Sequence, residues 1–227
     1  MQSKIKLYRI SITILAPAVM MASFIYHPHV GKPIDADFLE KLAAAVMADT
    51  TRWGVAHYMA GVGCGLMVLA FLAIHNHLRE SADDSWSSFG LPFIILGSTL
   101  YAMLPAMEFA PMAAAEINAD IQSIQAALMP WFVPTLFISA VLFAIGAAGF
   151  AAGFVRGGVE NPRLKWLIAG ALITMAVSRF IPLNMIHFYV QGLAGILAFW
   201  PMAYVMRHYS GTQSADQPKL TTAVGQV

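Results

Sequence analysis

The stretch from Arg52 to His77, RWGVAHYMAGVGCGLMVLAFLAIHNH, limits what this chain can fold into more than any other. From Trp53 to Ile74 it runs 22 residues without Asp, Glu, Lys or Arg. A helix rising about 1.5 Å per residue covers about 33 Å over that length, enough to cross a hydrocarbon core of about 30 Å. One imidazole, His57, lies about one turn inside its start. Ala60, Gly61, Gly63, Cys64 and Gly65 thin its middle, so another helix can come close.

The rest of the chain is of the same character. Hydrophobic residues make up 59% and charged residues 11%, against about 25% charged in ordinary soluble domains. With a mean hydropathy of +0.67, a water-soluble globule is a poor description. A formal net charge of +1 leaves no basic face for nucleic acid. The single cysteine, Cys64, falls in mid-span, cannot form an internal disulfide and reads as a small packing residue. There is no GxxxxGK[ST] and no GxSxG, and Gly61-x-Gly63-x-Gly65 lies inside a span instead of after a strand. No lysine falls in a predicted span, which removes a retinal Schiff base.

In chain order, hydropathy predicts spans at about 8–26, 53–74, 88–107, 131–155, 166–181 and 185–206, with a polar, disordered tail over 209–227. The expected fold is an all-α, polytopic transmembrane bundle of six helices with two amphipathic surface helices on its outer side. The opening MQSKIKLYR also begins as a signal peptide does. The apolar run Ile10 to Tyr26 is long for a signal core and has no polar cleavage region, so it reads as a retained first span. The first surface helix starts at Asp37, which with Glu40 forms a capping-box pattern, and puts Phe38, Leu39, Leu42 and Val46 on one face. The second covers Met112 to Met129, where Ile117, Ile121, Ile124 and Leu128 recur at helical spacing. Gly146, Gly149 and Gly153 give the fourth span a thin face, and His75 and His77 fall in a predicted solvated turn. With the N-terminus inside, nine Lys and Arg lie on the inner side and four on the outer, which points both termini to the cytoplasm.

Ionisable groups next to hydrocarbon are costly and mark functional candidates. Here they gather at one depth: odd spans end at His27, Glu108 and Arg179, and even spans begin with His57 and His187. Three uses are open to such a layer. In one, it binds a small organic or anionic ligand, Arg179 holding a carboxylate or phosphate while His57 and Glu108 exchange protons or hydrogen bonds, with Pro17, Pro105 and Pro182 shaping the helices around the pocket. In the second, His27, His29, His57 and His187 ligate a metal or haem, copper being helped by methionines at similar depth. In the third, Arg179 pairs with Glu108 and the histidines donate to backbone carbonyls, only fixing the bundle. The expected role is non-enzymatic, a small-ligand binder, carrier or accessory subunit. It needs no cofactor, haem or copper being the alternative. Expected partners are the bilayer, a small molecule, and a second copy or another membrane subunit.

Tyr26-His27-Pro28 closing the first span, then DFLEKLAAAVMADTTRWGVAH leading into a glycine-rich second span, resembles small bacterial integral membrane proteins of unknown function. That resemblance implies a bacterial cytoplasmic membrane and brings no catalytic residues. Di-haem b-type cytochromes, another six-helix comparison, need histidine pairs facing each other on two levels, and the inner level here offers only turn and terminal histidines.

Overall fold

A computed structural model describes residues 2–30, 37–81, 85–157, 161–181 and 184–208. The described chain is all-α, 92% helical with no strand. Its elements are α1 (Gln2–Tyr26), α2 (Phe38–Ala48), α3 (Thr50–Ser81), α4 (Ser85–Met107), α5 (Phe109–Glu116), α6 (Ile121–Arg156), α7 (Pro162–Ser178) and α8 (Asn184–His208). Five stretches are long and apolar enough to cross a membrane: α1, α3, α4 running on into α5, α6 and α8. Helix α7, with 17 residues, is shorter than these. The predicted tail, 209–227, and the turn at Pro182 lie outside the described residues.

The long helices close a ring. α1 packs on α3, α3 on α4, α4 on α6, α6 on α7, α7 on α8, and α8 returns to α1. Its centre is filled with aromatic rings: Phe71 of α3 meets Phe143, Phe150 and Phe199 edge-on at centroid distances of 5.9, 4.8 and 5.1 Å. Edge-to-face contact sets the positive rim of one ring on the negative face of another, so the three helices interlock as well as exclude solvent.

Glycine decides the closest contact, between α4 and α6. A Cβ placed on Gly90 would lie 2.6 Å from the carbonyl oxygen of Gly146, and one on Gly146 would lie 2.7 Å from the backbone nitrogen of Ile94. The two main chains therefore touch without side chains between them. The glycine face expected on the fourth span is used here, against α4. The small residues of the second span are used less: a Cβ on Gly61 or Gly65 would meet nothing within 4 Å.

Three local expectations differ from the structure. Helix α2 turns Phe38, Leu42 and Val46 onto Trp53, Ala114, Ala115 and Ile121, so its apolar face covers protein at the ends of α3, α5 and α6. Asp37 makes no capping hydrogen bond there, its carboxylate lying 2.7 Å from Lys41 Nζ instead. The segment expected as a second surface helix is broken. Asn118 adopts a left-handed φ of 55° and ends α5, with Ala119 N donating to Ala114 O. Asp120 then caps α6 by accepting from Gln122 N and Ser123 N, so 121–129 is the opening of the long helix α6, with Ile121 buried and Ile117 exposed. Finally, α3 continues to Ser81, past the predicted turn. His75 and His77 are buried, and His75 Nδ1 lies 2.8 Å from Ser87 Oγ of α4.

Candidate ligand-binding site

His57 sits two turns into α3 on its buried face, one turn after Trp53. Its Nδ1 lies 2.7 Å from the Trp53 carbonyl oxygen. A carbonyl can only accept, so Nδ1 carries the proton and, in the neutral ring, Nε2 presents a lone pair. That Nε2 lies 3.2 Å from Nε2 of His27, which must then be the donor. His27 is positioned by the last turn of α1, its N–H donating to Ser23 O at 2.9 Å, while Ser23 Oγ donates across to Ala56 O of α3. Arg52 Nε donates to Tyr26 O and ties down the same helix end. The tautomer leaves His27 Nδ1 as a buried acceptor with no donor to it among the described residues, the nearby Pro28 backbone oxygen being itself an acceptor. Burial above all, helped by the neighbouring His57, pushes the His27 pKa down from 6.5 to about 3, so the ring is neutral at physiological pH.

Trp53 also holds the third group. Its indole Nε1 donates to the Glu108 backbone oxygen at 3.0 Å, where α4 passes into α5. The Glu108 carboxyl is buried and accepts from Gln125 Nε2 at 3.3 Å through Oε1, while Oε2 has no partner. On α8, the His187 ring lies tilted against Phe188 at 4.0 Å, Phe188 stacks on Phe24 at 4.7 Å, and His187 Nδ1 is a third buried polar atom without a partner among the described residues. His29, near the rim, is exposed, with Tyr189 Oη 3.3 Å from its Nε2.

His27, His29, His57, Glu108 and His187 all line one cavity of about 130 Å³. The rest of its wall is mainly apolar, with Phe24, Phe38, Trp53, Leu104, Phe132 and Phe188 among its members. No match to this chain is found among protein-family models, curated proteins or solved structures.

Arg179 is not part of this cavity. From the C-cap of α7 it places its guanidinium over the rings of Tyr101, at 4.2 Å, and Phe143, at 3.7 Å. It lines a separate small void with Cys64, Ser98 and Gln191. Tyr101 stands between the two spaces, one side on the cavity and one under Arg179. The expected Arg179–Glu108 pair therefore does not form. Cys64 and Ser98 lie well inside α3 and α4, so Arg179 points deeper than a count of span ends suggests.

The haem alternative does not fit the geometry. The cavity is far below the several hundred cubic ångströms of a large-ligand pocket. Two nitrogens 3.2 Å apart are also too close to sit on opposite sides of one metal, which takes about 4 Å with bonds of about 2 Å. Among the described residues no group of three or more His, Cys, Asp or Glu side chains is placed to hold a metal ion.

Sequence reasoning passed over Trp53, Gln125 and Tyr101. Gln125 carries a visible signal, being a polar residue one turn after Ile121 on the buried face of its helix. Tyr101 lies on α4 seven residues before Glu108, and only its place between the cavity and Arg179 distinguishes it from an ordinary core aromatic.

Proposed function

We propose that this chain is an integral membrane protein that binds a small, mostly apolar molecule carrying a hydrogen-bonding head, acting as a binder, carrier or accessory subunit and not as an enzyme. The observation that carries the reading is the set of three buried, unpartnered polar atoms, His27 Nδ1, Glu108 Oε2 and His187 Nδ1, on residues that line one otherwise greasy cavity. Buried polar groups are almost always satisfied, and leaving one orphaned costs about 1–3 kcal/mol. A cavity of about 150 Å³ holds a benzene ring, so a comparable space takes a single ring or a short branched chain. An imidazole acceptor on His27, the unpartnered Nδ1 of His187 and a carboxyl suit a ligand with a hydroxyl, which both donates and accepts, such as a ring alcohol.

The same reading places six helices across a bacterial inner membrane with both termini in the cytoplasm. Supporting it are the nine-to-four bias of basic residues and the position of α7 within the closed ring. The cavity then faces outward.

Phenol is the probe that tests this. In detergent-purified full-length protein, phenol is expected to raise the unfolding temperature saturably, and Glu108→Gln or His57→Ala to weaken the effect. An unfolding temperature indifferent to phenol and to larger ring alcohols, together with native mass spectra showing no retained small molecule, would overturn it.

A further inference from the structure

The buried charge on Arg179 is unexplained by the ligand cavity. Only 9% of the residue is exposed, and its Nε and Nη1 have no hydrogen-bond partner among the described residues. Among the described residues the ion pairs are Arg9–Glu80 and Lys41–Asp37, so no described carboxylate lies within 4 Å of the guanidinium. Two aromatic faces are its visible compensation. A cation over a desolvated ring recovers less than its withdrawal from water costs. The balance favours an anion.

The void beside Arg179 has the donors for one. Ser98 Oγ is buried and unpartnered, and so is Gln191 Oε1. Gln191 is hydrogen-bonded to the Tyr101 hydroxyl. Turning its amide over lets Tyr101 donate to the amide oxygen and aims the amide N–H at the void instead. Arg179, Ser98 and Gln191 would then all donate inward. The walls between them are the thioethers and methylenes of Met20, Met67 and Met175 and the thiol of Cys64, a setting in which a bare ion is not in competition with bulk water. Volume sets the size of the guest: the centre of a water-sized sphere has about 10 Å³ to move in, which leaves room for one atom somewhat larger than a water molecule. A carboxylate or phosphate does not fit, and a water molecule would not offset the charge.

We propose that Arg179, Ser98 and Gln191 form a site for a dehydrated monatomic anion, chloride in a cell, in the interior of the helix ring and apart from the ligand cavity. Tyr101, which lines the ligand cavity and lies under the Arg179 guanidinium, is the partition an ion would pass to reach it from the outer side.

The test is thermal unfolding of the full chain in lipid nanodiscs at constant ionic strength, with sodium chloride or bromide replacing sodium gluconate from about 1 to about 300 mM. A ligand that binds only the folded state raises stability with the logarithm of its concentration above Kd. Chloride and bromide are expected to raise the unfolding temperature by several degrees with a defined half-saturation, while sulfate and gluconate do not. Arg179→Gln is expected to unfold at the same temperature in every salt, and Ser98→Ala to move half-saturation upward by about tenfold, the equivalent of about 1.4 kcal/mol. Equal unfolding temperatures of the wild type in chloride and gluconate would overturn the proposal, as would a halide response that survives Arg179→Gln. Should Arg179→Gln not fold, an unchanged half-saturation in Ser98→Ala would overturn it as well. The phenol response of the outer cavity is read separately, so either site can fail without the other.

Discussion

His27 and His57 face each other Nε2 to Nε2 across 3.2 Å, and the proton between them belongs to His27 because the other nitrogen of His57 is committed to the Trp53 carbonyl. The pair joins the end of α1 to the start of α3 and works only while both rings are neutral.

Acidification should therefore loosen the outer end of the ring. In the unfolded chain His27 takes a proton near 6.5, in the folded protein only near 3. The unfolded state thus binds more protons throughout that interval, and stability falls as pH falls through it. The stabilisation is whole above about pH 6.5, and about 2 kcal/mol is lost by about pH 5. Unfolding temperatures between pH 7.5 and 4.5 check this: His27→Gln should have a flatter pH dependence than the wild type, and an identical slope would refute it.

Trp53→Phe keeps most of the buried ring and removes the donor that reaches the Glu108 carbonyl at 3.0 Å. Losing that buried hydrogen bond should cost about 0.5–1.5 kcal/mol. The same change should reduce phenol binding, because Glu108 loses the bond that fixes its backbone. A variant as stable as the wild type, with unaltered binding, would show that the indole only fills space.

Glycine substitutions should separate the two small-residue faces. Gly90→Ala and Gly146→Ala would drive a methyl into backbone atoms at 2.6–2.7 Å and are expected to destabilise by about 3 kcal/mol or more or to prevent folding. Gly61→Ala and Gly65→Ala meet nothing within 4 Å and should be neutral or mildly stabilising in a helix, by up to about 1 kcal/mol. Comparable losses in both pairs would contradict the packing described.

His75→Ala is expected to destabilise by about 1–2 kcal/mol, since His75 is buried and bonded to Ser87 across the α3–α4 pair. Placing His75 in a solvated turn, as the sequence suggests, would make this substitution silent beside His57→Ala. Thermal unfolding of the two variants decides between the two positions for His75.

Hydropathy made the helical, lipid-compatible character of this chain legible, because uncharged runs such as Trp53 to Ile74 have few other uses. It was blind to helix ends. Nothing in a window average stops α3 at Ile74 or carries it to Ser81. Its continuation past Ile74 goes with the burial of His75 and His77 and the contact of His75 with Ser87 of α4. The break between α5 and α6 was written in the residues, as Asn118 followed by Asp120 is a stop and a start two positions apart, but the spacing of isoleucines was the louder pattern. At the site, spacing along the spans put His27, His57, Glu108 and His187 at one depth, and the structure sets all four on one cavity. Arg179 was misplaced because its long side chain reaches well away from its backbone, and depth counted at the Cα says little about where such a charge resides.

The glycine contact between α4 and α6 has a mechanical consequence. Two helices that meet main chain to main chain cannot part slightly: any gap forfeits the whole contact at once, with no side chain to swing in and refill it. Give in the bundle belongs instead to joints filled by side chains, such as the one between α1 and α8, where the pliable thioether of Met21 lies over Gly192 and can change rotamer while the two helices stay in contact.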